Sequence, residues 1–172
     1  MRLNEFTLKF FLLLIAQILI WNYFNFSQYL TVVFLPAMIL VLPIERSTNH
    51  AMVLSFICGL FVDFFCGMMG LTSLALVLAA FIRRPVIRLS LGTEVFSRNE
   101  NISFHRQSWA KILLAILLLT AAFLVVYIWA DGAGTRPTWF NIVRFLLSLL
   151  VSTGVSLFVA DILCSDLGEK WK

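Results

Sequence analysis

Charged residues are scarce in this chain, at 13% of the total, whereas hydrophobic residues make up 61% and the mean hydropathy is +0.96. A water-soluble domain is usually about half apolar and about a quarter charged. A chain of only 172 residues with this composition would expose large apolar patches to water. The sequence therefore predicts a protein whose solvent is the lipid bilayer.

Sequence signatures of catalysis and metal binding are missing as well. The chain has no GxSxG, no HExxH and no glycine-rich phosphate loop, and it has only two histidines. Its three cysteines, Cys58, Cys66 and Cys164, lie in or beside apolar segments without metal-ligand spacing, which favours small buried hydrophobic residues. We therefore predict no enzymatic activity, no metal and no cofactor. The small net charge of +4 is spread over loops and does not indicate a nucleic-acid surface.

Six apolar stretches follow one another and predict an all-α membrane protein with a single domain of six transmembrane helices. They lie at about residues 6–24, 29–44, 51–66, 71–89, 109–130 and 139–163. Pro36 and Pro43 interrupt the second stretch, so we expect a kink near Pro36. The fourth has only twelve uncharged residues before Arg83 and Arg84, too few to cross alone. Either the arginine side chains extend to the headgroups, or stretches three and four form a re-entrant hairpin.

The distribution of lysine and arginine predicts the orientation. With the six stretches as drawn, eleven basic residues fall on one side of the membrane and only Arg136 on the other. This positive-inside pattern places both termini and the 90–108 loop in the cytoplasm. At the cytoplasmic end of the fourth stretch we predict a basic flank of Arg83, Arg84 and Arg88. It either contacts anionic lipid headgroups or serves only as an ordinary positive-inside flank.

Asp63 is the one acid within the third stretch. It lies in the run GLFVDFFCGMMG at 59–70, which continues past the end of that stretch. On a helical wheel a common stripe is formed by Ser55, Gly59, Asp63, Cys66, Gly67 and Gly70. Small residues on one stripe allow another helix to approach closely, so we expect this face to be packed inside the bundle. A matching stripe on the sixth stretch consists of Asn141, Arg144, Ser148, Ser152 and Ser156.

Asp63 and Arg144 both fall toward the outer ends of their helices, which predicts an ion pair between them. An unpaired charge at the bilayer centre is costly, about 2.5–3.5 kcal/mol on insertion scales. Three interpretations of Asp63 remain open. It is a structural carboxylate held by Arg144, by serines or by backbone N–H groups at the 67–70 turn; a proton or substrate site; or a residue that binds another membrane protein.

Several short motifs in order along the chain resemble a known family. They are QILIWN at 17–22, YL at 29–30, FLPA at 34–37, LP at 42–43, GLFVD at 59–63, Gly70 and FIRRPVIR at 81–88. This series is similar to that of MreD, the rod shape-determining membrane protein of bacteria. The match is best at residues 17–88; the last third matches only in hydropathy and length, so no family residue is carried over to it.

The resemblance implies a non-enzymatic scaffold of the cell-elongation complex in the bacterial inner membrane. It would bind MreC and support lateral peptidoglycan synthesis and cell shape, with RodA, its class B penicillin-binding partner and MreB as further partners. The family fold is thought to be similar to the S-components of energy-coupling-factor vitamin transporters. A small-molecule-binding subunit or transporter of that type is therefore the alternative function, and a membrane enzyme is the weakest one.

Overall fold

The structure, a computed structural model, describes residues 2–23, 29–42, 47–68, 70–92, 109–132 and 136–168. Within these ranges it is all-α, as predicted. Six helices follow one another: α1 (Arg2–Tyr23), α2 (Leu35–Val41), α3 (Thr48–Cys66), α4 (Leu71–Leu91), α5 (Trp109–Gly132) and α6 (Thr138–Gly168).

The five long helices form a closed ring around the short helix α2. Around the ring, α1 packs against α3, α3 against α4, α4 against α5, α5 against α6, and α6 against α1. Helix α2 contacts α1, α4, α5 and α6, and all seven of its residues are buried. The centre of the bundle is therefore occupied by protein, and α2 contacts no lipid.

Four of the helices are long and apolar enough to cross a membrane: α1 over Phe6–Tyr23, α3, α5, and α6 over Thr138–Leu163. Large apolar side chains on their outer surfaces are exposed, such as Leu12, Phe64 and Leu150. This confirms the membrane character that the composition predicts. Six spanning helices are not confirmed, because α2 is short and α4 carries three arginines along its 21 residues.

The second apolar stretch is not the single kinked helix that the sequence predicted. Its backbone is non-helical through residues 31–34 and becomes helical only at Leu35. Pro36 lies in the first turn of α2, where a missing N–H costs no hydrogen bond, so it starts a helix and the expected kink there is wrong. At about 1.5 Å per residue, α2 spans roughly a third of the hydrocarbon thickness. The stretch is apolar because the surrounding protein buries it.

Candidate functional site

The carboxylate of Asp63 caps the first turn of a neighbouring helix. Asp63 is 2% exposed, and its Oδ1 and Oδ2 accept hydrogen bonds from the backbone N–H groups of Thr72 at 3.0 Å and Ser73 at 2.9 Å. The N-terminal N–H groups of a helix have no partner inside it and carry partial positive charge. The N-cap residue of α4 is Gly70, which has no side chain to offer. Asp63 of α3 therefore supplies the cap.

Glycines on both sides of Asp63 make this geometry possible. Gly67 ends α3 with a φ of 66° and Gly70 precedes α4 with a φ of 77°, a left-handed conformation that favours glycine. One turn before Asp63, a Cβ added at Gly59 would lie 2.3 Å from the Cα of Ser73. The backbones of α3 and α4 thus touch at Gly59, which brings the carboxylate within reach of the two N–H groups.

Arg83 caps the C-terminal end of helix α2. It is 3% exposed, and its Nε and Nη2 donate to the carbonyl oxygen of Leu40 at 3.3 and 3.2 Å. Nη2 also donates to the carbonyl oxygen of Leu42, the C-cap residue of α2. A cation at a helix C-terminus complements the partial negative charge there.

The predicted basic flank is therefore wrong for Arg83. Its side chain enters the bundle and donates to the carbonyl groups at the end of α2, and so it does not extend to the headgroups. Arg84 is half-buried and Arg88 is exposed. Only these two of the three predicted residues reach the surface of the bundle.

The serine stripe of α6 hydrogen-bonds the extended segment, residues 31–34. Ser148 Oγ accepts from Thr31 N at 2.8 Å, and Ser152 Oγ accepts from Val33 N at 3.0 Å. Ser152 Oγ also donates to the Thr31 carbonyl oxygen at 3.2 Å, and Ser156 Oγ to that of Val33 at 3.4 Å. Spacing by four places these hydroxyls on one line of the helix, parallel to the extended backbone.

Helix α1 hydrogen-bonds the other edge of the same segment. Gln17 donates from Nε2 to the Val32 carbonyl oxygen at 3.0 Å and accepts at Oε1 from Phe34 N at 3.1 Å. Trp21 Nε1 donates to the Val32 carbonyl oxygen at 2.7 Å. Successive residues of an extended chain direct their N–H and C=O groups to opposite sides. Helix α6 therefore binds the groups on one side and α1 those on the other. Non-helical backbone is tolerated at membrane depth only when protein satisfies it in this way.

Arg144 joins the extended segment to the end of α5. Its Nε and Nη2 donate to Thr31 Oγ1 at 3.1 and 2.9 Å, and its Nη1 pairs with the carboxylate of Asp131. Arg136 is a second partner of Asp131, at 3.5 Å. The predicted ion pair between Asp63 and Arg144 is therefore wrong, because the carboxylate of Asp63 is held by backbone N–H groups of α4. The N–H groups that hold Asp63 belong to Thr72 and Ser73 of α4, not to the 67–70 turn that was predicted as an alternative to Arg144 and serines.

The remaining predicted site residues fall into two groups. Ser55 and Asn141 are buried, and Ser55 Oγ and Asn141 Oδ1 have no hydrogen-bond partner in the described part of the chain. Asn141 packs against Gly132, where a Cβ would lie 2.9 Å from Asn141 Nδ2. Gly67 and Gly70 are turn residues rather than members of a helical face. The second stripe thus lies wholly inside the bundle. The first does so only from Ser55 to Asp63, and the expected burial is wrong for Gly67, which is exposed, and for Gly70, which is half-buried.

Four residues of this buried polar network were not predicted as site residues from the sequence: Gln17, Trp21, Thr31 and Asp131. Gln17 had a detectable signal, since it is a polar residue within the first apolar stretch, and Asp131 is an acid directly after the fifth. Thr31 had none, because a β-branched residue is common in any apolar run. Within the described ranges, no group of three His, Cys, Asp or Glu side chains could hold a metal ion.

No protein-family model, curated protein or solved structure matches the chain.

Proposed function

We propose that this protein is a non-enzymatic scaffold of the bacterial cell-elongation complex, located in the inner membrane with both termini in the cytoplasm. In this role it binds MreC and supports lateral peptidoglycan synthesis through helix packing. RodA, its class B penicillin-binding partner and MreB are more distant partners in the same assembly. The proposal starts from the resemblance of residues 17–88 to the MreD family.

One structural observation carries the proposal furthest: the charged groups inside the bundle are used by the fold itself. Asp63 caps α4, Arg83 caps α2, and Arg144 binds Thr31 and Asp131. A binding or transport site needs polar groups that are left for its ligand. The three charged groups are engaged, which supports a role performed by the outer surface of the bundle.

The outer surface has the character that such a role requires. Exposed large apolar residues lie along α1, α3 and α6, including Phe64 at 82% and Phe158 at 76%. In lipid, helices associate by close packing and by interhelical hydrogen bonds rather than by the hydrophobic effect. A bundle whose buried charged groups are held by its own residues presents fixed packing surfaces to a partner helix.

Co-purification tests the proposal. We expect the affinity-tagged chain, co-expressed with MreC and extracted in a mild detergent, to retain MreC at a constant molar ratio through size-exclusion chromatography. A single-span membrane protein unrelated to cell elongation serves as the control and should not be retained. Absence of MreC from the peak, together with a small molecule in the mass spectrum of the purified chain, would instead support the alternative of a ligand-binding subunit.

A further inference from the structure

Helix α6 contains a glycine that the fold of this chain does not require. An added Cβ would lie 2.3 Å from Ser73 at Gly59 and 2.9 Å from Asn141 at Gly132, so both of those glycines permit close packing within the bundle. An added Cβ at Gly154 would meet nothing within 4 Å among the residues that the structure describes, and Gly154 is exposed. Glycine weakens a helix interior relative to alanine. Among the described residues, no close contact of Gly154 compensates for that cost.

The surroundings of Gly154 form a notch on the outside of the bundle. Leu150 lies one turn before it and is 74% exposed, and Phe158 lies one turn after it and is 76% exposed. Two large apolar side chains thus project on either side of a position with no side chain. In membranes, such a position lets a second helix approach with its backbone or seat a side chain between the two projections.

An acid lies on the same face. Asp161 follows Gly154 by two helical turns, which places it within about 20° of the same direction and about 10 Å further along the axis. Asp161 is exposed, and within the described part of the chain it forms no ion pair or hydrogen bond. It is within the last turn of the apolar span Thr138–Leu163, at the boundary between hydrocarbon and headgroups.

We propose that the face of α6 formed by Leu150, Gly154, Phe158 and Asp161, here called the α6 outer face, binds a transmembrane helix of a different protein. That helix packs at Gly154 and carries a lysine or arginine about 10 Å further along, at the depth of Asp161. This inference rests on the proposed function and specifies the surface and the partner chemistry for it.

The charge of Asp161 favours a helix with a basic residue over a second copy of the chain and over anionic lipid headgroups. Copies of the chain insert in the same orientation, so a dimer through this face would have its two-fold axis along the membrane normal. Both Asp161 carboxylates would then meet at the same depth, and like charges across an interface are unfavourable. Anionic lipid headgroups are repelled by the same carboxylate. A basic side chain is the complementary group, and lysine and arginine are common just beyond the cytoplasmic ends of transmembrane helices.

The test uses the full chain co-expressed with MreC, the partner named in the proposed function. We expect Asp161→Lys and Gly154→Leu each to lower the amount of retained partner about tenfold, equivalent to roughly 1.4 kcal/mol. Changing the basic residue of the partner to glutamate should restore binding to Asp161→Lys but not to Gly154→Leu. Two control variants should retain the partner at the wild-type level. They are Lys111→Glu, a charge reversal at an exposed residue of α5, and Val53→Phe, added bulk at an exposed residue of α3.

Misfolding is separated from loss of the interface by the choice of variants. Leucine is a better helix former than glycine, and nothing lies within 4 Å of the added Cβ, so Gly154→Leu should unfold at or above the wild-type detergent concentration. Wild-type retention in both Asp161→Lys and Gly154→Leu would overturn the inference and leave the proposed function standing. Failure of the wild-type chain to retain the partner would overturn both. A homodimer of the purified chain that Gly154→Leu dissociates would also overturn the inference, by assigning the face to a second copy.

Discussion

Removing the acceptor oxygens of Asp63 should destabilise the bundle more than removing any exposed charge. Hydrogen bonds to charged groups contribute about 1.5–3 kcal/mol each, and Asp63 accepts two from buried N–H groups at 3.0 and 2.9 Å. Asp63→Ala loses both, so we expect a decrease of about 3–6 kcal/mol in the free energy of unfolding. Asp63→Asn keeps one acceptor but loses the charge, so about 2–4 kcal/mol is expected.

Unfolding by sodium dodecyl sulfate in mixed micelles, followed by tryptophan fluorescence, measures these differences. Asp161→Asn is the matched control, since this exposed aspartate has no partner in the described chain and should change stability by less than about 0.5 kcal/mol. If Asp63→Ala unfolds within that margin of the control, the cap contributes nothing and the reasoning fails.

A double-mutant cycle tests the separation of Asp63 from Arg144. Since each has its own partners, the effects of Asp63→Asn and Arg144→Gln should add to within about 0.5 kcal/mol. A coupling energy above about 1 kcal/mol would restore the direct ion pair.

Three further variants probe the rest of the polar network by the same unfolding assay. Gly59→Ala should cost about 1–3 kcal/mol because its Cβ would meet the backbone of α4, whereas Gly154→Ala should be neutral or stabilising; equal effects would contradict the close contact. Arg83→Ala should cost about 2–4 kcal/mol by leaving buried carbonyl groups without donors, and Arg88→Ala, on the surface of the same helix, should cost less than about 1 kcal/mol. Ser152→Ala should cost about 1–3 kcal/mol because this hydroxyl both donates to and accepts from the extended segment, and a change below about 0.3 kcal/mol would be inconsistent with that double role.

Periodicity predicted which faces are buried, but not what they touch. The wheel placed Ser55, Gly59 and Asp63 together, and all three are buried. The ion pair between Asp63 and Arg144 was predicted from their opposite charges at similar depth in the membrane. The N–H groups of a helix start are an equally good partner for a carboxylate, and they follow Asp63 by only nine and ten residues. Binding these nearby N–H groups closes a shorter loop of chain, at a lower entropy cost, than pairing with Arg144 would.

Hydropathy could not distinguish burial in lipid from burial in protein. The stretch around Pro36 is apolar enough for a spanning segment, yet its residues form the centre of the bundle. The polar groups that make this possible, Gln17 on α1 and the serines on α6, are remote in sequence. Pairings across such distances leave no trace in a local pattern, so the extended segment could not be predicted. Arg83 was misplaced for the same reason, because its carbonyl partners lie 41 and 43 residues earlier.

The distance between the extended segment and its serine partners sets the order in which this protein can be completed during synthesis. Thr31 and Val33 hydrogen-bond to hydroxyls that emerge from the ribosome 117–123 residues later, on the last helix. Until α6 is inserted, one edge of that backbone has no protein donor or acceptor and cannot enter hydrocarbon without cost. The second apolar stretch must therefore wait at an aqueous or protein-lined location, and a nascent chain truncated before α6 should be a substrate for membrane quality-control proteases.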